Sequence, residues 1–394
     1  MRPRKIKTGI YCVGAIDWDR RLFDALIPLP DGTSYNSYLI KGKEKTALVD
    51  TVDPTMTGVL LDNLDSLGIK KLDYLISNHA EPDHSGSIPP VLAKYPEARL
   101  VCSKLCRGLL IDRWMVPEEK FQTVEDKATL PLGGRTLEFI STPWVHWPET
   151  MSTYLREEKI LFSCDFFGSH VATTDMYAGD QPYVYEAAKR YYAEIMMPYR
   201  KTIEKNLEKI KDFAVTIIAP SHGPLYDRPE LIVDAYRSWV SDKPRNTVVI
   251  PYTSMHGSTR RMVAYLLDAL VKKGVTVQQF DLAVTDIGKL AIALVDAATI
   301  VVGTPTVLAG PHPNVVEAAF LANALRPKLR FASIIGSYGW GGRTVEIISG
   351  MIPNLKVEVL DPVLCKGFPK EADFLALDKL AEKIAKKHRE NGFA

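Results

Sequence analysis

The chain has little that would anchor it in a membrane, tie it with disulfides or draw it to a polyanion. No apolar run in its 394 residues is long enough to cross a bilayer. The basic start Met1-Arg2-Pro3-Arg4-Lys5 leads into no apolar stretch of the kind a secretory signal carries. Cysteines number only five, an odd count, scattered as Cys12, Cys102, Cys106, Cys164 and Cys365. That usage suits free thiols in a reducing compartment, so a cytoplasmic location is expected. There is no CxxC pair, which excludes a small cysteine-ligated metal module within this sequence. Charge of one sign is also missing: 49 Lys and Arg against 47 Asp and Glu leave a net charge of +2. Nucleic acid and membrane surfaces therefore have no electrostatic claim as main partners. Internal repeats, low-complexity tracts and a GxGxxG dinucleotide fingerprint are absent too, so direct use of NADH has no support.

What remains is a globular sequence, 46% apolar, with the length of two or three domains. The first half mixes short strands with helices. Strands are expected at 7–15, 37–40, 46–52, 72–77 and 215–219, with hairpins over 130–142 and 151–164. Helical spacing marks 56–67, ended by Gly68, and 229–240; the helical pattern of 186–213 should break or kink at Pro198. Composition turns polar at Ser241-Asp242-Lys243-Pro244-Arg245-Asn246, which sets a boundary between domains 1–243 and 244–394. Beyond it, five apolar strands (247–253, 275–282, 299–303, 331–335, 357–360) alternate with five helices, the pattern of a doubly wound parallel sheet.

Six metal-ligand side chains form a pattern in the first half: His79, Glu81 and Asp83, then His146, Asp165 and His222. The first three lie in Asn78-His79-Ala80-Glu81-Pro82-Asp83-His84-Ser85-Gly86, just past a buried strand. Alternate residues of an extended segment point to one side, so His79 and Glu81 can share an ion with Asp83 reaching a second. Taken singly, each of the six reads more simply as a hydrogen-bonded core residue or, for Glu81 and Asp83, as a cap on the next helix. Together, three carboxylates and three imidazoles suffice for two metal ions, and carboxylate-rich sets suit iron or manganese. Two divalent ions are neutralised by three carboxylates and one hydroxide, so the core can be buried. His84 is expected beside the ligands without joining them. His170 fits a solvent-facing loop or a supporting contact equally well, and Trp144 and Trp147 are expected to pack.

In the second half, the loop Ser254-Met255-His256-Gly257-Ser258-Thr259 joins the first strand to the first helix and offers free N–H groups to an anion such as a flavin phosphate. Two more loops, with Pro305 and Thr306 and with Ser337-Tyr338-Gly339-Trp340-Gly341, follow later strands at the edge where open α/β sheets bind ligands. Tyr338 or Trp340 can stack on an isoalloxazine. The arrangement resembles flavodoxin and implies FMN.

The His-x-Glu-x-Asp-His run with its later His, Asp and His resembles the flavodiiron proteins, or A-type flavoproteins, in the same order over nearly the whole chain. The resemblance implies a metallo-β-lactamase-like αββα domain followed by a flavodoxin-like domain. It implies two non-haem irons, with His79, Glu81 and His146 on one, Asp83 and His222 on the other, and Asp165 bridging. It further implies reduction of dioxygen to water or nitric oxide to nitrous oxide, electrons from rubredoxin or a reduced deazaflavin, and a head-to-tail homodimer or dimer of dimers. Zinc hydrolases of the wider superfamily usually have histidine where Glu81 stands. Some relatives carry a further histidine before the Tyr35-Asn36 strand; Leu22-Phe23-Asp24-Ala25-Leu26 has none. The rival readings are a zinc hydrolase fused to a flavodoxin-like domain, and an electron carrier whose first domain is only a docking scaffold.

Overall fold

In the computed structural model, which describes residues 2–394, the chain divides into two units: Met1–Tyr192 with Tyr199–Val240, and Ala193–Pro198 with Ser241–Ala394.

The first unit is a sandwich of two sheets. One has seven strands in the spatial order Arg4–Lys7, Ile10–Cys12, Tyr38–Lys41, Thr46–Val49, Tyr74–Ser77, Arg99–Ser103, Phe121–Val124. The other has five in sequence order, from Thr129–Pro131 through Thr136–Ser141, Met151–Leu155 and Ile160–Cys164 to Ile217–Pro220. Side-chain alternation builds the layers. Ile10, Ile40, Val49 and Ile76 from the first sheet meet Leu137, Phe139, Met151, Leu155 and Phe162 from the second in one buried cluster. Tyr38 and Phe162 touch across the interface, their rings 5.0 Å apart. On its other face the seven-stranded sheet presents Leu39, Leu48, Leu75 and Leu100 to the helices Thr57–Ser66, Ile88–Lys94 and Lys104–Trp114. The outer face of the five-stranded sheet is met by Phe213, just past helix Arg200–Ile210, against Tyr154.

Two local expectations need correction, and a third can be made sharper. The single strand over 7–15 is broken: Gly9, at φ 78°, turns the chain between Arg4–Lys7 and Ile10–Cys12, and Ala15–Asp17 joins a separate two-stranded ribbon. Around Pro198 the helix breaks, one of the two outcomes expected there. Pro182–Tyr191 passes into a wide turn, Tyr192–Met196, and a tight one, Met197–Tyr199, before Arg200–Ile210 resumes. The last strand of the second half is also split, into Glu358–Val359 and Val363–Lys366, around Asp361-Pro362, where proline has no N–H for a ladder.

The second unit is otherwise the parallel sheet the pattern predicts. Its order is Thr276–Asp281, Arg245–Tyr252, Ala297–Val307, Phe331–Tyr338, then the split fifth strand. That is the 2-1-3-4-5 order of flavodoxin-like folds. Helices Ser258–Val271 and Glu371–Glu390 supply Met262, Leu266, Leu377 and Ile384 to its core.

Candidate metal centre and flavin site

The six predicted ligands come together at the ends of strands from both sheets of the sandwich. His79 follows strand Tyr74–Ser77, His146 lies in the loop after Thr136–Ser141, Asp165 follows Ile160–Cys164 and His222 follows Ile217–Pro220. Glu81 keeps extended backbone, but Pro82 starts a helical turn, Pro82–Ser85, so the alternation expected for residues 79, 81 and 83 ends at Glu81. The turn carries Asp83 and His84 inward together. Glu81 makes no side-chain cap bond to it, nor does any side chain cap Ile88–Lys94, so the simpler capping role is not seen.

The donors fall into two groups sharing one residue. Glu81 Oε2 lies 3.2 Å from His79 Nε2 and 3.0 Å from His146 Nε2, while Asp165 Oδ2 is 3.4 Å from both imidazoles. On the other side, His222 Nε2 is 3.2 Å from Asp83 Oδ2 and 3.5 Å from Asp165 Oδ1. His84 Nε2 joins this second group, 2.9 Å from Asp165 Oδ1 and 3.4 Å from Asp83 Oδ1. Asp165 thus turns one oxygen to each group. His84, expected beside the ligands, turns its Nε2 to the same carboxylates.

The fit to metal can be read from the buried polar atoms. Both oxygens of Asp83 and of Asp165, and both ring nitrogens of His84, lack an aligned hydrogen-bond partner. Acceptors facing one another at 3 Å inside a protein are costly unless a cation or protons stand between them. The same field appears in the titration behaviour. Burial opposes the charged form of His222, yet the Asp165 and Asp83 carboxylates facing its Nε2 push it up to about 10. His146, likewise disfavoured by burial, is pushed up to about 9 by Asp165 and Glu81. Such a pocket holds positive charge, and the all-nitrogen-and-oxygen donor set suits iron or zinc.

Two contacts that the sequence did not reveal orient the imidazoles. His79 Nδ1–H donates to Glu149 Oε1 at 2.7 Å, and His222 Nδ1–H donates to the Ser34 carbonyl at 2.7 Å. Each leaves Nε2 facing the cluster. Asp50 fixes the strand end, accepting from Asn78 N and Nδ2 at 2.7 and 2.9 Å; burial pushes its carboxyl up to about 6. His170 is buried, not solvent-facing: Nδ1 pairs with Thr33 Oγ1 at 2.9 Å, and burial and then His222 hold its pKa well down. Trp147 packs edge-on against His79 at 5.0 Å, as expected of a packing role, and Tyr191 and Tyr35 lie 5.6 and 5.9 Å from His222. Trp144 stacks on Tyr199. Phe23, 6.5 Å from His222, brings the histidine-free Leu22–Phe23 hairpin to the site's edge.

In the second unit a cavity of about 380 Å³ opens at the carboxyl ends of the strands, within the range of small-molecule sites. Ser254, Met255, His256, Ser258, Thr259, Pro305, Thr306, Ser337, Tyr338, Gly339 and Trp340 line it. Of the predicted residues Gly257 and Gly341 do not line it; Gly367 and Phe368, from the loop after Val363–Lys366, do and were not foreseen. Gly257 instead starts helix Ser258–Val271 at φ 88° and cannot cap it; Ser254 Oγ accepts from Arg260 N at 3.2 Å, which leaves the N–H groups of Ser258 and Thr259 to an anion. Trp340 is 84% exposed, an aromatic face without cover of its own. These features fit a flavin phosphate and ring.

Fold and sites together define a two-part protein: a β-lactamase-like metal domain followed by a flavodoxin-like domain. The sequence pattern of the ODP family beta lactamases matches residues 33–223. The nitric oxide reductase of Moorella thermoacetica is 35% identical over 394 residues, 98% of each chain. The coenzyme F420H(2) oxidase of Methanothermobacter marburgensis is 32% identical over 403 residues, 97% of this chain and 98% of that protein. Among solved structures, rubredoxin oxygen:oxidoreductase from Desulfovibrio gigas matches with a TM-score of 0.96 at 31% identity over 100% of both chains. The flavodiiron protein of Giardia intestinalis matches at 0.92 with 29% identity, covering 98% of this chain and 96% of that one. The chain belongs to the flavodiiron protein family.

Proposed function

We propose that this chain reduces a diatomic gas, dioxygen to water or nitric oxide to nitrous oxide, at two non-haem irons fed by FMN. The observation that carries the reading is Asp165, whose two oxygens face two separate donor groups. In this reading His79, Glu81 and His146 would hold one iron, Asp83 and His222 the other with His84 beside them, and Asp165 would serve both. The metal centre belongs to domain 1–243 and FMN to domain 244–394, in the cavity lined by the 254–259, 305–306 and 337–341 loops. When bound, two irons and one FMN supply the four electrons that dioxygen needs, or the two that a pair of nitric oxide molecules needs.

The chain's own residues position and shield. Glu149 and the Ser34 carbonyl hold two imidazoles in one tautomer. Tyr35, Tyr191, Trp147 and Phe23 wall the centre with rings, which limits water and strengthens the field of the carboxylates. At the cavity of the second unit, the first N–H groups of Ser258–Val271 would take the phosphate, and Tyr338 or Trp340 the ring.

Rubredoxin or a reduced deazaflavin is the proposed donor, in keeping with the substrates named for two relatives. A head-to-tail homodimer, or a dimer of these, would bring one subunit's flavin to the other's irons. No helix among the described residues is long and apolar enough to cross a membrane. All five cysteines are free and buried, which supports the cytoplasm.

Anaerobically purified protein should contain about two irons and one FMN per chain. After full reduction it should consume dioxygen or nitric oxide in stopped flow. Two zincs, with hydrolysis of a thioester or lactam and no gas consumption, would establish the hydrolase instead.

A further inference from the structure

Glu149 lies one residue past Pro148 and is buried, with its side chain wholly shielded from solvent. Its Oε1 accepts twice, from His79 Nδ1 at 2.7 Å and from Ala80 N at 3.0 Å. The backbone around it is fixed as firmly. Ser103 Oγ donates to the Glu149 carbonyl at 2.9 Å, and Met151 N to the Asn78 carbonyl at 3.0 Å, so the Glu149 segment is pinned to the loop that carries His79. Its Oε2 is buried with no hydrogen-bond partner.

Orientation alone does not require a carboxylate. His222, in the other donor group, is oriented by the neutral Ser34 carbonyl at the same 2.7 Å. A buried carboxylate with one bare oxygen carries a desolvation cost that a peptide carbonyl does not, and a nearby positive charge is what offsets it. With Glu81, Asp83 and Asp165, Glu149 makes a fourth buried carboxylate, enough to balance two ferrous ions without a hydroxide.

We propose that Glu149 is a positioning residue that makes the two irons inequivalent: it locks His79 as an Nε2 ligand and adds negative charge on the His79 side only. The iron held by His79, Glu81 and His146 is then the one more easily oxidised. This rests on the diiron reading. Ionised partners of ligand histidines raise ligand basicity, and their loss commonly weakens metal affinity about 10–100-fold.

The test uses the full-length, iron-loaded protein with Glu149→Gln, which keeps an acceptor and removes the charge, and Glu149→Leu, which removes both. Iron per chain is measured after graded chelator challenge, and diiron potentials by redox titration followed through the mixed-valent electron paramagnetic resonance signal. The glutamine variant should keep two irons, shift its potentials upward and narrow the range over which the mixed-valent signal persists. The leucine variant should lose one iron about 10–100-fold more readily than the parent, with FMN content unchanged. Parental potentials in the glutamine variant, or parental iron retention in the leucine variant, would overturn the proposal. If the leucine variant fails to fold, the potentials of the glutamine variant decide alone. A parent that binds no iron counts against the diiron reading itself, which keeps the two failures apart.

Discussion

At Gly223 the backbone has φ +79°, and a β-carbon built there would lie 2.0 Å from Ser169 Oγ and 2.7 Å from the Ser169 carbonyl. Ser169 N in turn donates to the His222 carbonyl at 3.1 Å, so any shift is passed to a proposed ligand. Gly223→Ala should cost about 1–2 kcal/mol for the left-handed backbone and about 1–3 more for the overlap. Urea unfolding should show that loss, and iron analysis a deficit at the Asp83, His84 and His222 group. At this scale the sequence was legible where residue types are rare in combination, as in His79, Glu81 and Asp83. Glu149 was not legible: an acidic residue after a loop proline has no periodicity to mark it. His84 was placed beside the ligands because three carboxylates and three imidazoles already sufficed for two ions; the helical turn that Pro82 starts, bringing residues 83 and 84 in together, was not foreseen.

Among the elements, helix Glu371–Glu390 is tied to the sheet by a buried histidine near its end. His388 Nδ1 pairs with Asn246 Oδ1 at 2.8 Å, and its Nε2 pairs with Thr299 Oγ1 at 2.7 Å. Burial holds its pKa down at about 4 against 6.5 for a free histidine. The unfolded chain therefore binds a proton that the folded chain refuses. The resulting stability is complete above pH 6.5 and is lost as pH falls toward 4, a contribution of about 2–3 kcal/mol. Between pH 6.5 and 5 the unfolding free energy should fall less steeply in His388→Gln than in the parent, measured by denaturant titration. Most elements could be read from periodicity because strands of a covered parallel sheet are continuously apolar and the helices are amphipathic. The break at Gly9 escaped because one glycine scarcely alters an apolar run, and strand Val363–Lys366 escaped because Asp361-Pro362 read as the end of the last strand.

Across the first unit as a whole, the proposed metal centre gathers donors from both sheets: His79, Glu81, Asp83 and His84 from beyond the seven-stranded one, and His146, Asp165 and His222 from beyond the five-stranded one. Ligand binding to the folded state alone adds stability by mass action, about 2.7 kcal/mol when free metal is at a hundred times its dissociation constant. Stripping iron with a chelator should therefore lower the unfolding temperature in calorimetry, and restoring ferrous iron should raise it in a concentration-dependent way. An unchanged temperature would mean that the donors bind no ion in the folded state. The same arrangement would make a bound pair of ions a clasp across the sandwich. Tyr38 against Phe162, and the Tyr38 hydroxyl donating to the Pro220 carbonyl at 2.6 Å, set the register of the two layers beneath it. A packing change there, far from any gas molecule, would slide one layer over the other and open the clasp, so that lost iron announces the defect while the fold still stands.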